Sequence, residues 1–423
     1  MRDRWSSRLM FILVSAGSAI GIGNIWRFPY MAGEQGGGTF ILLYLVFVLL
    51  FALPAVLIEI LAGAIARQPM IQGFRELIGK AWPVSLLPLI TNWVIMSYYI
   101  VITGWVLYYF IFSISGSAPV FEEAADGWGL VIAAFATFFI AAAISTGGIK
   151  KGIERLNLYL FPVFILALLF LFLNSLFLGG IEDALAFMTT VDLDSITPGM
   201  ILAAVTQAIF SLSIGLGIMF TYGGYLSRRE QKGMFGSVGA IVITDTSVAL
   251  LSAVTIFAIT FTFGLSPAAG PALAFETLPI AFANMPFGNF IMPLFFLMLF
   301  CAALTSLVSA IEVMVRSLSV MIRRRIKQVA VGMLLVLILF VPAALSYSPI
   351  GFEFFGMPAL DFLDGVLVER LAPIATIGMI IGLVWFWKKS RRIYERTFTT
   401  DLGDFYYLVL KYALPIILVV ELI

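Results

Sequence analysis

Residues 17–29 read Gly-Ser-Ala-Ile-Gly-Ile-Gly-Asn-Ile-Trp-Arg-Phe-Pro, and they interrupt the first long apolar run of the chain. Gly17, Gly21 and Gly23 fall within seven residues, and each costs about 1 kcal/mol against alanine inside a helix. Asn24 and Arg27 add polar groups that lipid cannot solvate. Irregular backbone at membrane depth persists only where it is buried in protein or borders a cavity. Broken helices whose freed carbonyls coordinate a cation, and whose half-helix N-terminus faces an anion, are a device of secondary transporters. The stretch predicts a broken helix beside a transport site.

The surroundings agree. Of 423 residues, 61% are hydrophobic and only 12% charged, with a mean hydropathy of +1.07, far outside the range of soluble domains. Apolar runs long enough to cross about 30 Å of hydrocarbon lie near 6–33, 39–64, 84–113, 128–146, 153–179, 198–224, 236–264, 289–321, 328–347, 357–387 and 404–423. The expectation is an all-α polytopic membrane protein with eleven transmembrane helices. The first run is too long for a cleavable signal and lacks a small-residue cleavage site, so it is expected to stay.

Basic residues set the orientation, because Lys and Arg are retained on the cytoplasmic side. Arg2, Arg4 and Arg8 precede span 1; Arg67, Arg75 and Lys80 follow span 2; Lys150, Lys151 and Arg155 follow span 4. Arg228, Arg229 and Lys232 follow span 6, Arg316, Arg323, Arg324, Arg325 and Lys327 lie between spans 8 and 9, and Lys388, Lys389, Arg391, Arg392 and Arg396 lie between spans 10 and 11. The opposite loops carry Glu122, Glu123, Asp126, Glu182, Asp183, Asp192 and Asp194 without a single Lys or Arg. This places the N-terminus in the cytoplasm and, after eleven spans, the C-terminus outside, in a plasma (inner) membrane. The lipid bilayer is then a partner. The net charge of +1 gives no reason to expect nucleic acid.

One cysteine, Cys301, excludes an internal disulfide, and the absence of histidine excludes His-ligated metal, a Ser-His-Asp triad and a histidine relay. An enzyme is not expected.

Span 6 repeats the signal of span 1. It reads Gln207-Ala-Ile-Phe-Ser-Leu-Ser-Ile-Gly-Leu-Gly217, and Ser-Ile-Gly-Leu-Gly at 213–217 echoes Ala-Ile-Gly-Ile-Gly at 19–23. The two fall in the first and sixth helices, corresponding positions of two five-helix halves. Five is odd, so the halves are inverted, and paired interrupted segments in inverted repeats point to a midplane substrate site. The domain is expected to be single over 1–423, with repeats at about 6–179 and 198–387 and an extra helix at 404–423. For span 6 alone, close packing of small residues accounts for the glycines equally well; it does not account for Asn24 and Arg27.

These motifs identify a resemblance to the neurotransmitter:sodium symporter family, in its bacterial eleven-helix amino-acid transporter form. The signature at 17–29 is followed by Glu34 and Gly36-Gly37-Gly38-Thr39-Phe40. Glu59 in span 2, Tyr98-Tyr99 in span 3, Lys151-Gly152-Ile153-Glu154-Arg155, Leu278-Pro279-Ile280-Ala281-Phe282 and Ala303-Leu304-Thr305-Ser306 extend it along nearly the whole chain. The resemblance implies a five-plus-five inverted repeat with helices 1 and 6 unwound around substrate and two sodium ions.

Residue by residue, it implies a first sodium site from the Ala19 carbonyl, Asn24, Ser211 and the side chain of Asp245. A second would use the carbonyls of Gly17, Ile20 and Ala302 with Thr305 and Ser306. Such all-oxygen sets suit a hard cation. Thr305 and Ser306 have another reading as well, bonding back to their own helix. Asp245 departs from the family, where asparagine is common and animal members need chloride nearby. A buried carboxylate beside a cation is acceptable, so Asp245 is expected to replace chloride and to remove any chloride requirement. A protonated Asp245 bonded to backbone is the competing reading.

The resemblance further implies an amino-acid substrate whose carboxylate meets the first sodium, the amides around Ile22 and Gly23, and the Tyr99 hydroxyl, with Ser18, Ala19 and Ser211 close by. Biogenic-amine transporters carry aspartate where Gly21 stands, so amino acids are favoured over amines. Ile95, Phe210, Ser213, Leu216, Ser306 and Ala310 would line the side-chain pocket. Ala310 stands where a small-pocket leucine-transporting member has isoleucine, and Leu216 replaces a phenylalanine; large hydrophobic or aromatic amino acids are expected.

Arg27 resembles the outer-gate arginine, with Asp361 as partner over a Phe210 and Tyr99 lid and Asp364 one turn away as a rival. At the inner face the family's arginine falls at Arg2, but its aspartate partner aligns with Val320; Trp5 and Tyr225 still match. Glu59 is expected to bond freed backbone at the breaks, and Glu312 to reach the cytoplasmic basic loops. A non-transporting amino-acid sensor and an ion channel are the alternative functions; flux separates the first from a symporter, and the internal repeat argues against the second.

Overall fold

The computed structural model describes residues 4–116, 119–227, 230, 233–266, 273–398 and 400–422. Arg2, Arg228, Arg229 and Lys232 therefore lie outside the described residues. Among the described residues nine helices are long and apolar enough to span a membrane, and a tenth span is a bent pair. In chain order the pieces are α1 (Arg8–Ala19), α2 (Gly23–Glu34), α3 (Gly38–Ala66), α4 (Met70–Ser113), α5 (Gly129–Thr146) and α6 (Ile149–Ser175). They continue as α7 (Pro198–Ser211), α8 (Ile218–Gly223), α9 (Met234–Thr262), α10 (Leu273–Ala283), α11 (Gly288–Leu318), α12 (Arg325–Ser346), α13 (Ala359–Phe386) and α14 (Asp401–Glu421). The described β-structure is one two-residue hairpin, β1 (Glu353–Phe354) antiparallel to β2 (Met357–Pro358), between α12 and α13.

The first span is the bent pair: α1 and α2 meet at 55°. Its backbone leaves the helical ladder at Ile20, with φ −70° and ψ 112°. A broken helix in lipid must find partners for its freed amides, and this one does. Asn24 Oδ1 accepts the Gly21 N–H at 3.2 Å, and the Tyr99 hydroxyl accepts that of Ile22 at 3.3 Å.

The sixth span divides into α7 and α8, each too short to cross alone. Thr197 caps α7 by accepting the Met200 N–H at 3.1 Å, and Pro198 follows at the first position, where its missing amide costs nothing. The helix then stops in a run of left-handed residues: Ser213 at φ 53°, Gly215 at 80° and Gly217 at 76°. Glu59 of α3, fully buried, accepts the freed Gly215 N–H at 2.7 Å, and Thr376 of α13 donates to the Ile214 carbonyl at 3.3 Å. Glycine is required at 215, because a Cβ there would stand 2.8 Å from the Thr376 Cα.

Below the break, α8 runs against α3 backbone to backbone. A Cβ on Gly63 would collide with the Phe220 carbonyl and lie 3.1 Å from the Gly224 nitrogen, and one on Gly223 would lie 3.0 Å from the Ile60 Cα. The two breaks, Glu59, Asp245 and Thr305 all sit in the buried centre of the bundle.

Candidate functional site

Asn24, Ser211 and Asp245 come from α2, α7 and α9, and the breaks in the first and sixth spans bring them together. The Asp245 carboxylate is 0% exposed. Its Oδ1 accepts from Asn24 Nδ2 at 2.8 Å and its Oδ2 from Ser211 Oγ at 2.6 Å. Asn24 Nδ2 also lies 3.1 Å from Ser211 Oγ and 3.3 Å from the Asp245 carbonyl. Ala19, at the end of α1, is buried immediately before the break. The three ion pairs among the described residues do not include Asp245. A buried carboxylate with no cationic side chain paired to it, beside a hydroxyl and an amide that now donate to it, offers oxygens of the kind a hard cation takes.

A second cluster forms between α1 and α11. Thr305 Oγ1 lies 2.9 Å from the Gly17 carbonyl, 2.9 Å from that of Ala302 and 3.1 Å from that of Cys301. The single Thr305 hydroxyl proton is thus shared between carbonyls of its own helix and one of the first span. Ile20 is the residue at which that span turns extended. Ser306 lies against Gly21, where an added Cβ would be 3.5 Å from its side chain and 2.9 Å from the Tyr99 hydroxyl. A side chain at position 21 would displace the Tyr99 hydroxyl.

A cavity of about 780 Å³ opens over these breaks. Ile22, Gly23, Tyr99 and Phe210 form its deep end, and a Cβ on Gly23 would stand 3.4 Å from the Phe210 ring. Of the other expected pocket residues, Ile95, Ser213, Leu216, Ser306 and Ala310 do not line it; Ile95, Ser213 and Leu216 are each 8% exposed and packed below. Ser18 is buried in the last turn of α1. Trp26, Trp105, Phe121, Phe275 and Tyr347 make an aromatic mouth, with Trp105 edge-on to Phe121 at 5.1 Å and to Tyr347 at 5.3 Å.

The expected Arg27–Asp361 pair is not formed. Both residues line the cavity. Arg27 instead donates to Gln207 Oε1 at 3.2 Å and stacks over Phe210 at 4.6 Å. Asp361 Oδ2 accepts from the Tyr347 hydroxyl at 2.7 Å. Asp364, the rival partner, faces Tyr98.

Among the described residues the opposite end of the bundle is held together by aromatic and polar contacts. Trp5 donates to the Tyr222 carbonyl at 3.0 Å and packs edge-on against Tyr222 and Tyr225. Arg316 donates to the Thr221 carbonyl and lies 4.0 Å over the Tyr225 ring. Glu312, fully buried, accepts from the Tyr225 hydroxyl and pairs with Arg325. Glu312 does reach the basic cluster at the start of α12, and Arg325, its first residue, is the one it meets.

Sequence reasoning gave Gln207, Tyr347 and Arg325 no role. Gln207 could have been found as an amide in an apolar run. Tyr347 and Arg325 carry no such signal, because only the three-dimensional meeting of α12 with α13 and α11 selects them.

The broken first and sixth spans, each meeting a buried cluster of polar side chains at mid-bundle, are the arrangement of a secondary transporter. The model of the Sodium:neurotransmitter symporter family matches residues 2–131 and 122–423, and the chain belongs to that family. It is 30% identical over 441 residues to an uncharacterized sodium-dependent transporter, YhdH, of Bacillus subtilis, covering 99% of this chain and 96% of that one. An uncharacterized sodium-dependent transporter, MJ1319, of Methanocaldococcus jannaschii is also 30% identical, over 99% of this chain and 89% of its own. The mouse sodium-dependent neutral amino acid transporter B(0)AT2 is 25% identical over 61% of this chain and 40% of its own. Among solved structures, MhsT in complex with L-phenylalanine superposes with a TM-score of 0.89 at 34% identity, covering 100% of this chain and 99% of that one. The fold is thus the all-α polytopic one of this family, with the first and sixth helices unwound.

Proposed function

We propose that the chain is a sodium-coupled symporter that imports amino acids, chiefly large hydrophobic or aromatic ones, by alternating access and without chloride. The observation that carries the reading is Asp245: a sealed carboxylate, held by Asn24 and Ser211 at the break of the first span, with no cationic side chain to neutralise it. A sodium ion supplies that charge, and the substrate carboxylate touching the same ion supplies the coupling. Linkage then makes each ligand raise the affinity for the other. A fixed negative charge in the protein does the work that a chloride ion would otherwise do.

The first sodium takes oxygens of Ala19, Asn24, Ser211 and Asp245, and the second those of Gly17, Ile20, Ala302, Thr305 and Ser306. The substrate carboxylate takes the Ile22 amide that now bonds Tyr99, and its side chain sits among Ile95, Phe210, Ser213, Leu216, Ser306 and Ala310. Closure brings Arg27 across the cavity to Asp361 above Phe210. The chain lies in the plasma membrane with its N-terminus inside and C-terminus outside, as two inverted repeats at about 6–179 and 198–387 with α14 appended. The L-phenylalanine bound to MhsT and the neutral amino acids of B(0)AT2 support the substrate class.

The test is uptake of radiolabelled phenylalanine, tryptophan and leucine into proteoliposomes under an inward sodium gradient, against an equal potassium gradient. Sodium-driven accumulation is expected, unchanged when gluconate replaces chloride. Binding without accumulation would refute symport, and stronger competition by glycine and alanine than by tryptophan would refute the substrate class.

A further inference from the structure

Each member of the proposed outer gate is held by a neutral partner: Arg27 by Gln207 at 3.2 Å and Asp361 by the Tyr347 hydroxyl at 2.7 Å. The second hold is built into the fold. Ser346 and Tyr347, adjacent at the end of α12, grip Leu360 and Asp361, adjacent at the start of α13. Ser346 Oγ accepts the Leu360 N–H at 2.9 Å beside the Tyr347–Asp361 bond. The hairpin between them folds the chain back, with the Ala359 N–H bonded to the Phe352 carbonyl at 3.0 Å. The Tyr347 ring is fixed edge-on to Trp105 at 5.3 Å and Phe121 at 5.5 Å, so the phenol is aimed and has little freedom to follow Asp361 elsewhere.

We infer that Tyr347 is a gate-positioning residue for transport: its hydroxyl competes with Arg27 for Asp361 and holds the cavity open until substrate is bound. The inference rests on the Arg27–Asp361 closure proposed above. A phenol bonded to a carboxylate satisfies an acid that would otherwise face the cavity unpaired, and so stabilises the open arrangement relative to the closed one. A ligand that favours the closed form must first displace that bond, which lowers its apparent affinity by the fraction of protein in the competent state.

The decisive variant is Tyr347→Phe, which keeps the ring packing and deletes the hydroxyl. In the full-length protein its KM for phenylalanine, or whichever substrate the uptake assay ranks first, is expected to fall about fivefold to tenfold, the size of one typical net hydrogen bond, while the turnover rate does not rise. A cysteine introduced by Leu202→Cys or Ala372→Cys, both lining the cavity, should react more slowly with a charged thiol reagent by a similar factor. The one native cysteine, Cys301, is buried.

Asp361→Asn separates the possibilities. If Tyr347 acts through Asp361, adding Tyr347→Phe to Asp361→Asn changes nothing further. Additive effects, or wild-type rates and KM in Tyr347→Phe, would overturn the inference while leaving the gate itself standing. Wild-type behaviour of Asp361→Asn alone would remove the gate, and the inference with it. Ser346→Ala is the control for the hairpin: if it shifts the reaction rate as Tyr347→Phe does, the effect belongs to the turn and the inference fails.

Discussion

Replacing Asp245 by asparagine is expected to weaken sodium binding by about tenfold to one-hundredfold and to make transport respond to chloride. Both carboxylate oxygens are engaged, by Asn24 Nδ2 at 2.8 Å and by Ser211 Oγ at 2.6 Å. Asparagine fills the same space and keeps an acceptor for one of them, so the substitution chiefly removes charge. Two unit charges about 4 Å apart attract by about 4 kcal/mol at an effective dielectric constant near 20. The cost of keeping an ionised acid out of water offsets part of this. A net loss of about 1.4 to 3 kcal/mol remains, which is the stated factor in affinity. The assay is a sodium titration of substrate binding to purified full-length protein, choline making up the ionic strength, run once with chloride and once with gluconate. Wild-type protein should give one curve in both anions. Asp245→Asn should give a right-shifted curve that moves back toward wild type with chloride. An unchanged sodium midpoint would refute the assignment of Asp245 to the cation, and a chloride-dependent wild type would refute its role as the fixed counter-charge.

Two further expectations follow from the breaks and the closed end. Gly215→Ala places a side chain at φ 80° against Thr376, which should cost about 1–2 kcal/mol for the backbone alone; a lower melting temperature together with lost substrate binding would show it, and a wild-type melt would count against the break being fixed there. Arg325→Ala strips the cationic partner from buried Glu312 and leaves Tyr225. Because Arg325 is itself 22% exposed, the loss should be nearer 1–3 kcal/mol than the full cost of a sealed pair. It should raise the reactivity of a cysteine at the Trp5 end of the bundle and raise KM.

The interruption at 17–29 was legible because glycine, asparagine and arginine have no ordinary place in a membrane helix, and the same logic assigned Glu59 to freed backbone before Gly215 was known to be its donor. The sixth span was harder. Its apolar run continues through 198–224, and composition does not reveal that Ser213, Gly215 and Gly217 all turn left-handed and leave two pieces too short to cross. Partner choice was least legible. Five basic residues near α12 are equivalent in sequence, yet packing presents Arg325 to Glu312. Arg27 and Asp361 were paired from the resemblance, whereas the structure gives each another partner, Gln207 for the one and Tyr347 for the other: which of several polar neighbours a side chain takes is settled by packing that the sequence does not display.

The glycine seam between α3 and α8 has a mechanical consequence. Two helices touching through their backbones have no side-chain cushion in which to slip, and Glu59 at the Gly215 end and Arg67 Nη2 on the Leu226 carbonyl at 2.9 Å pin both ends of the contact. The pair is therefore built as one stiff unit, with one end at the Gly215 break and the other at the opposite face. A tilt of the Gly215 end would carry to Leu226, next to Tyr225 and the contacts of that face, because no layer of side chains lies between the two helices to absorb it.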